Sequence, residues 1–300
     1  KNSRNRNRVI PMNKTTSNNS LRAGVIGLGQ IGGGVAICLA RHQRTLAVYD
    51  VRPQAADQLE GVPAALSSPA EVARASDVLM IAVLNGEQIK AVLEGPDGIL
   101  AAAHPGLTLV ILSTITMSEL QELRDVVADS GVALLDCGVT GGQLSDQGGM
   151  ISMIGGEDSD VERIRPVLEE FNTEVHHMGG SGAGMATKIA RNMIHFTLWR
   201  AGVEGAMLAT KAGVDMDKFI DLVEAASKNP GASVTVWMDP DRVATAARMA
   251  QDPIELRRQT LGLQQKDLEA AKDLAAELGV NVAAADAAWR FGKETYRLDD

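Results

Sequence analysis

The stretch Leu21-Arg22-Ala23-Gly24-Val25-Ile26-Gly27-Leu28-Gly29-Gln30-Ile31-Gly32-Gly33-Gly34 decides the fold. Its short apolar run (Ala23, Val25, Ile26) reads as a strand and breaks into glycines that open a helical pattern carried by Ile31, Val35 and Leu39. Thr45-Leu46-Ala47-Val48-Tyr49 reads as a second strand, closed by Asp50. Each piece of this βαβ pattern has a chemical task. Gly27 permits the tight turn, Gly29 lets a pyrophosphate approach the backbone, and Gly32 permits close packing of helix on strand. The phosphates then sit at the positive end of the helix. Asp50, about twenty residues on, is placed to bind both ribose hydroxyls. A carboxylate there repels a 2′-phosphate and favours NAD over NADP, although Arg52 is near enough to offer a phosphate partner. A lone glycine triplet is weak evidence. Triplet, strand, helix, strand and acid in register specify a dinucleotide site, with Gly27, Leu28, Gly29, Gln30, Ile31, Gly32 and Asp50 as its candidate residues.

Outward from this unit the alternation continues. A short helix is expected over 69–75, a buried parallel strand over 77–84, a helix over 87–93 and a strand over 107–112. Further on come a helix over 117–130, strands over 132–136 and 150–154, a helix over 159–172 and a last strand over 173–177. Ligands of open α/β sheets bind beyond the carboxyl ends of the strands. That rule singles out Asn85, Ser113, Thr114 and Thr140, and Val83, Leu84, Asn85 and Thr114 are the candidates for the cofactor. Ser113 and Thr114 read equally well as helix N-caps. From Gly184 the strand-like runs stop, and helices are expected over about 184–211, 215–226, 240–249, 253–278 and 281–295. The expected architecture is therefore α/β, with a Rossmann-type parallel-sheet domain (21–181) followed by an all-α C-terminal domain (182–300) with a long interdomain helix. That helix, roughly 40 Å long at 1.5 Å per residue, needs something packed along it, and a second subunit is the natural candidate. A homodimer or homotetramer is expected.

Composition agrees with a large core: of 300 residues 45% are apolar and 22% charged, while aromatics are only 3%. The net charge of −9 argues against general nucleic-acid binding. Residues 1–20 carry five basic and no acidic side chains, so the rest holds −14. This Asn- and Ser-rich head reads as a disordered or vector-derived extension, with Met12 a natural start within it. A mitochondrial presequence or nucleic-acid-binding arm is the alternative. Cys38 and Cys137 are too few for a disulfide framework or thiolate metal site and read as buried, reduced thiols. No run is long and apolar enough to span a membrane. The expectation is a soluble, cytoplasmic protein with no metal, no membrane and no nucleic-acid partner.

Two further segments carry chemistry. In Cys137-Gly138-Val139-Thr140-Gly141-Gly142 the paired glycines leave backbone N–H groups open to a carboxylate, and Thr140 adds a hydroxyl donor. A glycine-rich hairpin without a ligand is the alternative. In Gly182-Ala183-Gly184-Met185-Ala186-Thr187-Lys188-Ile189-Ala190-Arg191-Asn192 a helix places Lys188 and Asn192 one turn apart on the same side. Together they can serve one substrate oxygen, or they form a solvated polar stripe.

The order of these motifs, with a late Lys266-Asp267-Leu268, resembles the β-hydroxyacid dehydrogenase family over roughly 21–295. That family includes 3-hydroxyisobutyrate dehydrogenase, tartronate semialdehyde reductase and, more distantly, 6-phosphogluconate dehydrogenase. The resemblance implies that Lys188 transfers the proton, Asn192 orients the substrate, and Thr140, Gly141 and Gly142 hold its carboxylate. Lys266 would reach the same site from the second domain and serve both cofactor and substrate. The chain departs from the family at Gly138, where Pro is usual, at Thr140 for Ser, at Ser145-Asp146 for Gly-Ala and at Arg191 for a second Asn. These changes are expected around the substrate pocket, with Gly138 loosening its loop. The implied reaction is hydride transfer between NAD(P) and a small 3-hydroxy acid or its semialdehyde. An imine or ketone reductase on the same scaffold is one rival, though such relatives generally lack the lysine. The others are a non-catalytic NAD-binding protein and a decarboxylating sugar-phosphate dehydrogenase.

Overall fold

In the computed structural model, residues 21–228 and 253–298 are described. The basic head, the helix expected over 240–249 and Trp237, which sequence suggests as a residue overhanging the pocket, lie outside them. The chain divides into two compact units between Arg191 and Asn192.

In the first unit the elements are β1 (Ala23–Ile26), α1 (Gln30–Arg41), β2 (Leu46–Tyr49), α2 (Pro69–Arg74), β3 (Val78–Ile81), α3 (Gly86–Leu93), β4 (Thr108–Ile111), α4 (Met117–Val127) and β5 (Ala133–Thr140). A 3-10 turn (Gly142–Gln147), β6 (Met150–Gly155), α5 (Asp158–Leu168) and β7 (Asn172–Gly179) follow, before α6 (Ala183–Lys211) runs on into the second unit. The seven strands lie in the order β2-β1-β3-β4-β5-β6-β7. All neighbours are parallel except β5 and β6, which pair antiparallel.

Period-2 alternation splits each strand between two cores. Val78 and Met80 face α1 and α5 with Val35, Leu39, Ile164 and Phe171. Leu79 and Ile81 face α2, α3 and α4 with Val72, Ile89, Leu120 and Leu123. A sheet covered on both faces needs such unbroken apolar strands, which is why the sequence shows them as continuous runs. At the amino ends of the strands the buried Arg44 guanidinium pairs with Glu170 and donates to Leu21 O, tying the α1–β2 connection to the end of α5.

Sequence reading and structure differ at β5. The strand does not stop at Asp136 but continues through Thr140, paired from Asp136↔Gly155 to Thr140↔Ile151. Gly138 is therefore a buried strand residue and not part of a loosened loop. The reason is close approach: a Cβ at Gly138 would lie 2.3 Å from Lys188 Cβ.

The second unit holds the remainder of α6, α7 (Met216–Ser227), α8 (Pro253–Leu278), α9 (Ala283–Arg290) and α10 (Gly292–Thr295). The single helix expected over 281–295 is thus interrupted at Phe291. The carboxylate of Glu204, buried in α6, accepts from Ala284 N at the start of α9 and from Arg200 Nε. Trp199 packs beside His195, ring centroids 4.3 Å apart, and Trp289 lies under Lys272 Nζ. No described helix is long and apolar enough to cross a membrane.

Candidate active site

The strand order reverses between β1 and β3, and a cleft of about 840 Å³ opens at their carboxyl ends. The loop after β1 forms one wall. Gly27 holds φ +89°, a left-handed conformation that side chains other than glycine rarely adopt. Gly32 presses on it so closely that a Cβ there would lie 1.8 Å from Gly27 O. Gly29 is different, because a Cβ there would meet nothing within 4 Å and would project into open space. Gly29 is also the N-cap of α1. No side chain caps that helix, and its first turn carries no acid, so its leading N–H groups are left for an anion. This is the cradle a pyrophosphate requires, and the residues present fit a dinucleotide.

Asp50 stands at the tip of β2. Its carboxylate accepts from Leu28 N at 2.7 Å and from Arg52 N and Nε, each at 2.9 Å, with Arg52 Nη2 at 3.1 Å. Burial pushes this carboxyl up, but the Arg52 and Leu28 donors outweigh it and hold it below the usual carboxylate range. Arg52 is thus engaged with Asp50.

Lys188 lies one turn beyond Met185 on α6 and lines the same cleft. Its stem crosses β5 at Gly138, and Nζ donates to Val139 O at 2.5 Å. Burial lowers its pKa from the ordinary lysine value, and the Arg191 guanidinium lowers it further. Within the first unit the cation acting on Lys188 is Arg191. Lys266 lies on α8 in the second unit, exposed and paired with Asp267 at 3.2 Å.

Of the residues nominated from sequence, Gly27, Gly29, Gln30, Ile31, Asp50, Val83, Leu84, Thr114 and Lys188 line one cleft. Leu28 is buried and contributes through its N–H to Asp50. Gly32 acts by packing, and Asn85 caps α3 through Gln88 N. Thr140 closes β5, Gly141 takes a left-handed turn, and a side chain at Gly142 would meet Ile31 of the cleft wall. Asn192 follows Lys188 by one turn of α6, where the second unit begins. Ser113 is not a cap: its hydroxyl donates to Val83 O and accepts from Val83 N, clasping the ends of β3 and β4. The cap of α4 is Thr116, in a capping box with Glu119.

Ser145 also departs from expectation. It is buried, and its hydroxyl donates to Gln30 O at 2.8 Å, while Cys38 Sγ donates to Ser145 O. This position braces the glycine loop. Sequence reasoning overlooks Gln88, whose Oε1 accepts from Leu84 N in the cleft wall. The Asn85-x-x-Gln88 spacing of a helix start is the signal that points to it. Cys137 is buried, which pushes its thiol up to about 12 and leaves it inert. Among the described residues no group of His, Cys, Asp and Glu is placed to hold a metal ion.

Comparison with known proteins agrees with this geometry. Residues 22–180 match the NAD-binding domain of 6-phosphogluconate dehydrogenase. Residues 182–297 match the NAD-binding region of NADP-dependent 3-hydroxyisobutyrate dehydrogenase. Cleft and matches together define an NAD(P)-dependent oxidoreductase acting on CH–OH groups. An uncharacterised oxidoreductase of Mycobacterium tuberculosis is 31% identical over 270 residues, covering 89% of this chain and 90% of its own. An L-threonate dehydrogenase of Escherichia coli is 31% identical over 224 residues, covering 73% and 72%. The imine reductase from Pseudomonas sp. shares the fold, with a TM-score of 0.74 over 93% of this chain and 94% of its own, at 18% identity. The chain belongs to the β-hydroxyacid dehydrogenase family.

Proposed function

We propose that this protein interconverts a small 3-hydroxy acid and its semialdehyde, with NAD preferred to NADP and Lys188 as the proton carrier. The observation that supports this most is the half-buried Lys188 ammonium, of lowered pKa, lining the cleft that carries the glycine loop. When bound, the nicotinamide accepts or returns the hydride. The chain's own residues do the rest. Neutral Lys188 takes the hydroxyl proton in oxidation, and its ammonium returns it in reduction. Thr140 Oγ1 and the N–H groups of Gly141 and Gly142 anchor the carboxylate, converting binding energy into alignment. Asn192, one turn along α6 from Lys188, steadies the reacting oxygen, and the family resemblance gives Lys266 a part in binding. The NAD preference rests on the charged Asp50 carboxylate, which would repel a 2′-phosphate.

The test is a panel of 3-hydroxy acids assayed by the absorbance of reduced nicotinamide, each with NAD and with NADP. Turnover with at least one 3-hydroxy acid, and a higher kcat/KM with NAD, is expected. A protein that binds NAD but turns over only imines or amines would refute the substrate class.

A homodimer or homotetramer in the cytoplasm completes the reading. Along α6, Met193 and Trp199 are 65% and 60% exposed, and Leu222 on α7 and Leu263 on α8 are exposed with them. Exposed apolar side chains in that number call for cover. Sedimentation should give a dimer or larger, and a monomer at micromolar concentration would count against it.

A further inference from the structure

The carboxylate of Asp136 is 1% exposed and belongs to β5, yet neither of its oxygens serves the sheet. Oδ1 accepts from Gly182 N and Oδ2 from Met185 N, both at 2.6 Å. These are donors at the start of α6, where N–H groups have no partner inside the helix. The fit around the pair is close. A Cβ at Gly184 would lie 2.5 Å from Met153 O, 2.6 Å from Asp136 O and 2.7 Å from Gly155 N, so the first turn of α6 rests on the backbones of β5 and β6. Two residues along β5 stands Gly138, over which the Lys188 stem lies, and four residues along stands Thr140. One strand therefore carries the anchor of the lysine helix and ends in the turn assigned to the substrate carboxylate.

We propose that Asp136 is a positioning residue for Lys188: by clamping the first turn of α6 with both oxygens, it fixes where the amine stands over β5 and over the Thr140–Gly142 turn. This rests on the reading of Lys188 as the proton carrier. Among the described residues Arg191 acts on the amine from its own helix, while Asp136 on β5 has both oxygens engaged with backbone N–H groups. Asparagine at 136 keeps one acceptor but turns an N–H₂ toward a backbone N–H, and alanine removes both acceptors. Loosening the first turn lets Lys188 leave its half-buried place and take up water, which returns its pKa toward that of an ordinary lysine.

The experiment uses the full-length protein and the variants Asp136→Asn, Asp136→Ala and Lys188→Ala. Acetic anhydride labels Lys188 across a pH series, read by mass spectrometry, so the result does not depend on knowing the substrate. In the parent protein the labelling midpoint lies below the ordinary lysine range. In Asp136→Asn it moves up toward that range, kcat on the best substrate falls by about 10²-fold, as misplacement of a catalytic group by ~1 Å does, and NAD affinity is retained. An unchanged midpoint in Asp136→Asn, with folding verified by circular dichroism, overturns the proposal even if Asp136→Ala fails to fold. Full turnover in Lys188→Ala overturns the proton-carrier reading instead, while the labelling midpoint still decides whether Asp136 positions the amine.

Discussion

With alanine at position 188, turnover falls by about 10²–10⁴-fold, the usual contribution of a general acid–base group, while NAD binds as before. Lys188 lines the cleft, and its Cβ and Cγ lie against Gly138, not against the glycine loop proposed for the cofactor. Truncation would therefore remove the proposed proton carrier without touching the proposed phosphate cradle. The pH dependence carries the same signature. With Lys188 as the proposed base, oxidation would need the neutral amine, so kcat/KM should rise with pH through its lowered pKa and level off before the ordinary lysine range. Reduction needs the ammonium and falls over the same window. In Lys188→Ala both limbs should vanish. A limb that persists in the variant assigns the titration to another group, and unimpaired turnover removes Lys188 from the mechanism.

Gly32→Ala should abolish cofactor binding, a loss of more than about tenfold in affinity, and lower stability by at least the ~1–3 kcal/mol typical of an overfilled site. The added methyl would lie 1.8 Å from Gly27 O and 3.1 Å from Ala82 Cβ, and a backbone carbonyl cannot turn aside as a side chain can. To make room, α1 must lift from β1, and the left-handed turn at Gly27 must reshape. Gly29→Ala is the control. Nothing lies within 4 Å of its added Cβ, so the fold should keep its melting temperature while the methyl stands where the pyrophosphate belongs. Calorimetric titration with NAD and thermal melting of both variants separate the turn from the cradle. Gly32→Ala with unaltered affinity would show that the loop after β1 is not the phosphate site.

Much of this is legible in the sequence because parallel strands buried on both faces leave a plain signal. Runs such as Val78-Leu79-Met80-Ile81-Ala82-Val83-Leu84, between Asp77 and Asn85, are continuous and short. The glycine loop is legible because each glycine meets a separate steric demand. What escapes is non-local. The continuation of β5 past Asp136 depends on a partner, β6, that arrives after a 3-10 turn, and a glycine at 138 reads as a loop until the Lys188 stem is seen lying across it. Ser113 reads as a cap because the sheet order that brings it to Val83 is not written locally. Asp136 reads as an acid at a strand end, since Gly182, its partner, is 46 residues away. The site assembled within the first unit follows a pattern of local motifs. Asn192 is paired with Lys188 by helical spacing, whereas the role of Lys266 comes from resemblance alone.

The bond from Ser145 to Gln30 O, with the Arg41 guanidinium also donating to Asp146 O, fastens the turn after Thr140 to α1, the helix proposed to receive the phosphates. Two ligands held by parts so joined would not be independent. Whatever free energy the occupied cradle lends to ordering that turn, the occupied turn must lend back to the cradle in equal measure. The enzyme's affinity for either reactant is then a joint property of the pair, and a constant measured for one alone describes a different equilibrium from the one that operates during turnover.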